Sequence, residues 1–149
     1  MDELLADKVR ERAREKCEYC RMPQIYDELP FEIDHVIAQQ HGGRTVASNL
    51  ALTCFADNHH KGPNLAGIDL KTRRRTWLFN PRRHKWHRHF RWDGPVLVGL
   101  TQIGRATVIV LEIYLDYRVA FRHACAALPD SRDVVRHVVC ASRHRNVCR

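Results

Sequence analysis

Two kinds of reactive side chain stand close together in the first half of this sequence. Cys17 and Cys20 are separated by two residues, Cys54 and Asp57 repeat that spacing, and Asp34-His35 lies between the two pairs. Histidine changes its charge near neutrality and can take a proton from water. A neighbouring carboxylate offers the hard anionic oxygen that a divalent cation prefers. Thiols at this spacing bind zinc or cycle through a disulfide. The redox reading requires the pair to open a helix inside a strand–helix–strand unit, and none is legible here, so metal binding is favoured. Cys125, Cys140 and Cys148 fit no ligand spacing and read as buried or free thiols.

The elements around these residues follow from periodicity. Residues 2–16 form a charged helix with Leu4, Leu5, Val9 and Ala13 as a loose apolar stripe, delivering the chain to Cys17. Residues 31–38 alternate as a strand, with Phe31, Ile33, His35 and Ile37 on one face and Asp34 on the other. Gly42-Gly43 marks a wide loop, and Leu50-Ala51-Leu52-Thr53 is a short strand able to pair back on the first. A short helix over 54–61 should stop at Gly62-Pro63. Farther along, 87–92 and 95–100 flank Asp93-Gly94, a hairpin signal. Thr101 can cap a helix from 102 to about 111, although its Ala-Thr-Val-Ile-Val run favours a strand. A helix over 116–128 ends before Pro129, and 131–149 reads as a weakly ordered basic tail.

The 149 residues suit one ordinary domain with an extension. We expect a division into residues 1–94, carrying the reactive residues, and 95–149, a helical extension with a basic tail. The net charge of +8 favours a polyanionic partner. Residues 1–34 hold ten of the seventeen acids, whereas 71–91 hold none and carry nine Lys or Arg interleaved with Trp77, Phe79, Trp86 and Phe90. From that stretch Arg73, Arg74, Arg75, Arg82, Arg83, Lys85 and Arg88, together with Lys61, are candidate phosphate contacts. His84, His87 and His89 read as a partly protonated extension of this surface. The acidic start lacks a secretory pattern and no apolar run reaches membrane length, so a cytoplasmic protein with no membrane partner is expected.

Taken jointly, Cys17-x-x-Cys20, Ile33-Asp34-His35, Gly42-Gly43, Ser48-Asn49-Leu50 and Cys54-x-x-Asp57-Asn58-x-x-Lys61-Gly62 resemble the HNH endonuclease family, specifically stand-alone bacterial members with zinc knuckles. The likeness is closest over 17–92. Phe90 to Gly94 and Gly99 to Ala106 are similar to the extension of such members, carrying it to about residue 110. The resemblance implies an α+β fold: a ββα-metal, treble-clef-like (His-Me finger) nuclease core with a basic β-hairpin extension and a helical C-terminal region.

It also implies roles. His35 is the general base, and Asp34 and Asn58 hold one catalytic cation. Asn49 ties down the loop that orients the base, so it is grouped with the catalytic residues. An amide ligand tilts the catalytic metal toward Mg2+ or Mn2+. Cys17, Cys20, Cys54 and Asp57 hold a structural Zn2+. Two positions depart from the pattern: Asp57 stands where Cys is usual, which lowers the expected zinc affinity, and Asn58 stands where His is commoner, with His59 or His60 as possible substitutes. The expected function is hydrolysis of nucleic acid, most simply DNA, with oligomeric state left open. The alternatives are a zinc-stapled module that binds nucleic acid without cutting, and a structural protein whose zinc site only folds the chain.

Overall fold

The computed structural model describes residues 1–127, and the expected tail over 131–149 lies outside them. Helix α1 spans Glu3–Ala13 and buries Val9 and Ala13. It stops three residues short of the expected end because Arg14 and Glu15 both turn left-handed, at φ 53°. That reversal lets Cys17 N–H bond Met22 O at 2.9 Å and Arg21 N–H bond Cys17 O at 2.9 Å, closing the first knuckle.

Strand β1, Glu32–His35, pairs antiparallel with β2, Leu50–Thr53, in the register Asp34 opposite Ala51 and His35 opposite Leu50. β1 is thus half the length of the expected 31–38 strand. Every residue of β2 is buried. Helix α1 packs on this strand, and Arg12 stitches the two together through bonds to Ala47 O and Leu50 O, both 2.8 Å. Helix α2, Phe55–Lys61, follows at once, with Cys54 as its cap: the sulfur accepts the Asp57 N–H. The order strand, loop, strand, helix is therefore the observed one.

Two further hairpins follow. The first joins β3, Ala66–Asp69, to β4, Arg74–Trp77, and the sequence reading did not foresee it. The second joins β5, Phe90–Asp93, to β6, Val96–Gly99. Since Asp93 pairs with Val96, the tight turn is Gly94-Pro95, one residue beyond the expected Asp93-Gly94, and Gly94 supplies the positive φ of 54°. Trp86–His89, expected as partly strand, is a short helix, α3.

Helix α4, Gln102–Val110, wins over the strand alternative. Thr101 Oγ1 accepts the Gly104 N–H at 3.1 Å, and the helix lies so close to its neighbours that a Cβ on Gly104 would come within 2.0 Å of His89 O. Capping and tertiary approach thus override β-branched propensity. Helix α5, Asp116–Ala126, returns toward α2. Among the described residues no helix is long and apolar enough to cross a membrane.

Candidate active site and metal centre

Alternation along β1 puts Glu32 and Asp34 on one face and His35 on the other. On α2, Asn58 and Lys61 are three residues apart and share the side turned to β1. The two elements therefore meet as two polar pairs. Asn58 Nδ2 donates to Glu32 Oε2 at 2.5 Å, and Lys61 Nζ lies 2.8 Å from Asp34 Oδ2. Lys61 is 2% exposed and Asp34 12%. The ammonium also donates to His35 O at 3.2 Å and Gly62 O at 3.3 Å. Its contact with Asp34 is an ion pair, in which the buried Oδ2 faces the ammonium. Burial pushes the Asp34 carboxyl above its ordinary range, and Lys61 opposes that shift.

His35 turns the other way, toward the loop between the strands, where its Nε2 lies 2.9 Å from Thr45 Oγ1. Gln39 Nε2 donates to the same hydroxyl at 3.3 Å. Asn49 fixes this loop through both backbone groups of Ile37 and one of Arg44: its Oδ1 accepts Ile37 N–H at 2.9 Å, and its Nδ2 donates to Ile37 O and Arg44 O, both at 3.0 Å. Asp34 and Asn58 thus face the seam between β1 and α2 through Lys61 and Glu32, and the His35 ring is held on the other face of β1 by the loop. Glu32, Thr45 and the buried Lys61–Asp34 pair were missed; alternation alone could have flagged Glu32, two residues before Asp34. His59 stacks on Phe55 and His60 Nδ1 lies 3.5 Å from Glu112, so neither replaces Asn58 at the seam.

The second centre is buried. Cys17, Cys20, Cys54 and Asp57 bring one ligand atom each to within 4.8 Å of one another, the one such metal-holding group among the described residues. The Cys17 thiol donates to Asp57 Oδ2 at 3.0 Å, and the Cys20 and Cys54 sulfurs are 3.8 Å apart. Zinc–sulfur bonds of about 2.3 Å in a tetrahedron place two sulfurs about 3.8 Å apart, so this edge already has the right length. The neighbouring thiols of Cys17 and Cys20 hold the Cys54 thiol below its ordinary range, whereas burial pushes Asp57 up to about 7. Four donors, three of them sulfur, in a dry pocket fit a closed structural metal site. Arg118 of α5 donates to Asp57 Oδ1 at 2.7 Å; this partner, 61 residues away, carries no local signal in the sequence.

Of the expected phosphate contacts, Arg73, Arg74, Arg75, Arg83, Lys85 and Arg88 are exposed. Two depart from that surface. Lys61 is buried against Asp34, and Arg82 turns inward to Glu18, which is only 5% exposed. The interleaved aromatics divide likewise: Trp77 is exposed, but Phe79 and Phe90 are core residues, and Trp86 is half-buried and bonds Tyr19 O at 2.7 Å. His84 Nδ1 accepts Asn80 N–H at 3.0 Å and His89 Nδ1 meets Thr101 Oγ1 at 2.7 Å. Burial lowers both imidazoles' proton affinity, against the expected partial protonation.

Residues 17–64 match the family model described as HNH endonuclease. No curated protein and no solved structure matches the chain.

Proposed function

From the match of residues 17–64 to the HNH endonuclease model, we propose that this chain is a metal-dependent endonuclease of the ββα-metal type. DNA is its substrate, His35 its general base, and Asp34 and Asn58 its catalytic metal ligands. The observation that carries the assignment is the Asp34 carboxylate, whose enclosed Oδ2 already faces a cation, the Lys61 ammonium, at 2.8 Å. A buried anionic oxygen of this kind is stabilised by a positive ion. Glu32 occupies the Asn58 amide nitrogen and so leaves the amide oxygen as the ligand. Both are hard oxygen donors, which suits Mg2+ or Mn2+.

His35, fixed between Thr45 and the Asn49-tied loop, takes a proton from water as the water oxygen attacks phosphorus. The bond from phosphorus to the 3′ oxygen breaks, leaving a 5′-phosphate and, once that oxygen is protonated, a 3′-hydroxyl. A bound divalent cation would supply charge neutralisation at the leaving oxygen. The cysteine-rich cluster takes Zn2+ and fastens the knuckle at Cys17 to the head of α2.

Plasmid nicking by the purified chain tests this. Mg2+ or Mn2+ should support nicking, EDTA should stop it, and His35→Ala should lower the rate by about 10²–10⁴-fold while DNA affinity stays near wild type. Nicking that persists in EDTA, or in H35A at the wild-type rate, rejects the assignment. The Lys61–Asp34 pair favours one other reading, a zinc-stapled module that binds without cutting because the ammonium never yields to a metal; DNA binding with no nicking under any metal would establish it.

A further inference from the structure

We propose that Arg118 is the outer partner that makes Asp57 a working metal ligand, coupling metal occupancy of the cysteine-rich cluster to docking of α5. Only a metal at that cluster is presupposed; cleavage of nucleic acid is not, and failure of the nicking assay leaves the coupling intact.

The two oxygens of Asp57 are divided between inside and outside. Oδ2 faces the cluster, 3.0 Å from Cys17 Sγ, and Oδ1 faces α5, 2.7 Å from Arg118 Nη2. A thiolate in this position would have one ligand atom and nothing left over. A carboxylate has a second oxygen, and with Asp57 fully buried that oxygen needs a donor. Arg118, itself 7% exposed, is placed to supply it. Its other nitrogen, Nη1, donates to Leu111 O at 2.7 Å, so the guanidinium is held from both sides before any metal arrives.

Charge argues the same way. Three thiolates and one carboxylate around a divalent ion leave two net negative charges in a dry interior, and the guanidinium cancels one of them. Outer partners of this kind orient the ligand and raise its affinity for metal. Because α5 carries the donor, metal binding and α5 docking must favour each other equally. The same helix supplies a comparison. Arg122 is also buried, but it donates to Pro95 O at 2.7 Å and Ile113 O at 2.8 Å and does not bond Asp57.

The test is Zn2+ affinity of the full chain, read by competition with a chromophoric chelator. Arg118→Met should weaken Zn2+ by about 10–100-fold, and Arg122→Met by less, because Arg122 helps to dock α5 without bonding a ligand. With Asp57→Cys the orphan oxygen is gone, so adding R118M to D57C should cost far less than it does in the wild type. Zn2+ should also slow amide hydrogen exchange in α5 of the wild type and not of R118M. Should R118M fail to fold alone, recovery of a Zn2+-binding fold in the D57C/R118M double variant supports the coupling, and no recovery overturns it. Equal losses in R118M and R122M, an R118M penalty as large in the D57C background as in the wild type, or a wild-type chain that binds no Zn2+ also overturn it.

Discussion

If a divalent cation binds at Asp34 as proposed, it competes with Lys61 for one oxygen. The ammonium is almost wholly buried, and Asp34 beside it would be left as an unpaired interior charge without it. Replacing Lys61 by Met should therefore destabilise the metal-free chain by about 3–5 kcal/mol, the usual cost of breaking a buried pair, moderated by Asp34 taking up a proton, toward which burial already biases it. Mg2+ should then stabilise K61M strongly and the wild type little, because in the wild type the ammonium must first be displaced. Urea unfolding of both chains with and without Mg2+ measures this, and equal stabilisation would mean that Mg2+ does not bind at Asp34. The candidate site was legible as residue types: Asp34, His35, Asn49 and Asn58 stand in the order their chemistry needs. What was not legible is what each is paired with, since Glu32 with Asn58 and Lys61 with Asp34 depend on how α2 lies across β1, which no local pattern records.

At the scale of elements, the hairpin β3–β4 packs on α4 and is tied to it by a charged fork. Arg105 Nε and Nη2 reach Asp69 Oδ1 and Oδ2, both at 2.8 Å, and Thr72 donates its hydroxyl to Oδ2 at 2.7 Å. The Arg105 hydrogen bonds hold the Asp69 carboxyl well below its ordinary 3.8. A depressed carboxyl stabilises the fold at pH above its unfolded value, and that contribution is lost as pH falls through the folded one. Asp69→Asn should accordingly lower the urea midpoint near neutrality, and the gap to wild type should close as pH drops below about 4. A gap that persists unchanged in acid would mean that the fork contributes nothing through charge. This hairpin escaped the sequence reading because its pattern is inverted: Ile68 and Trp77 are exposed, while the charged Asp69 is buried. By contrast β2 and α2 were readable to within a residue, since Leu50 to Thr53 is a short run of strand formers and Gly62-Pro63 stops the helix.

Across the whole molecule, net charge was plain in the sequence, but its division between surface and interior was not. Several arginines that contribute to the formal +8 are committed to internal acids: Arg82 to Glu18, Arg105 to Asp69, Arg118 to Asp57. Six of the candidate phosphate contacts remain exposed, and they belong to the β3–β4 hairpin and to the segment that leads into and includes α3. If this face carries the backbone of a duplex, each contact contributes to the salt dependence of binding, by about 0.9 in the slope of log affinity against log salt. Replacing Arg73, Arg74 and Arg75 together by Gln should lower that slope by as much as about 3 while leaving the fold intact. Arg82→Gln should do the reverse, lowering the urea midpoint because buried Glu18 loses its closer cation and keeps only Arg12 at 3.9 Å, and leaving the slope where it was. Fluorescence anisotropy with a labelled duplex over a salt series separates the two. A slope that responds to R82Q as strongly as to the triple variant would mean that DNA approaches from another side of the molecule.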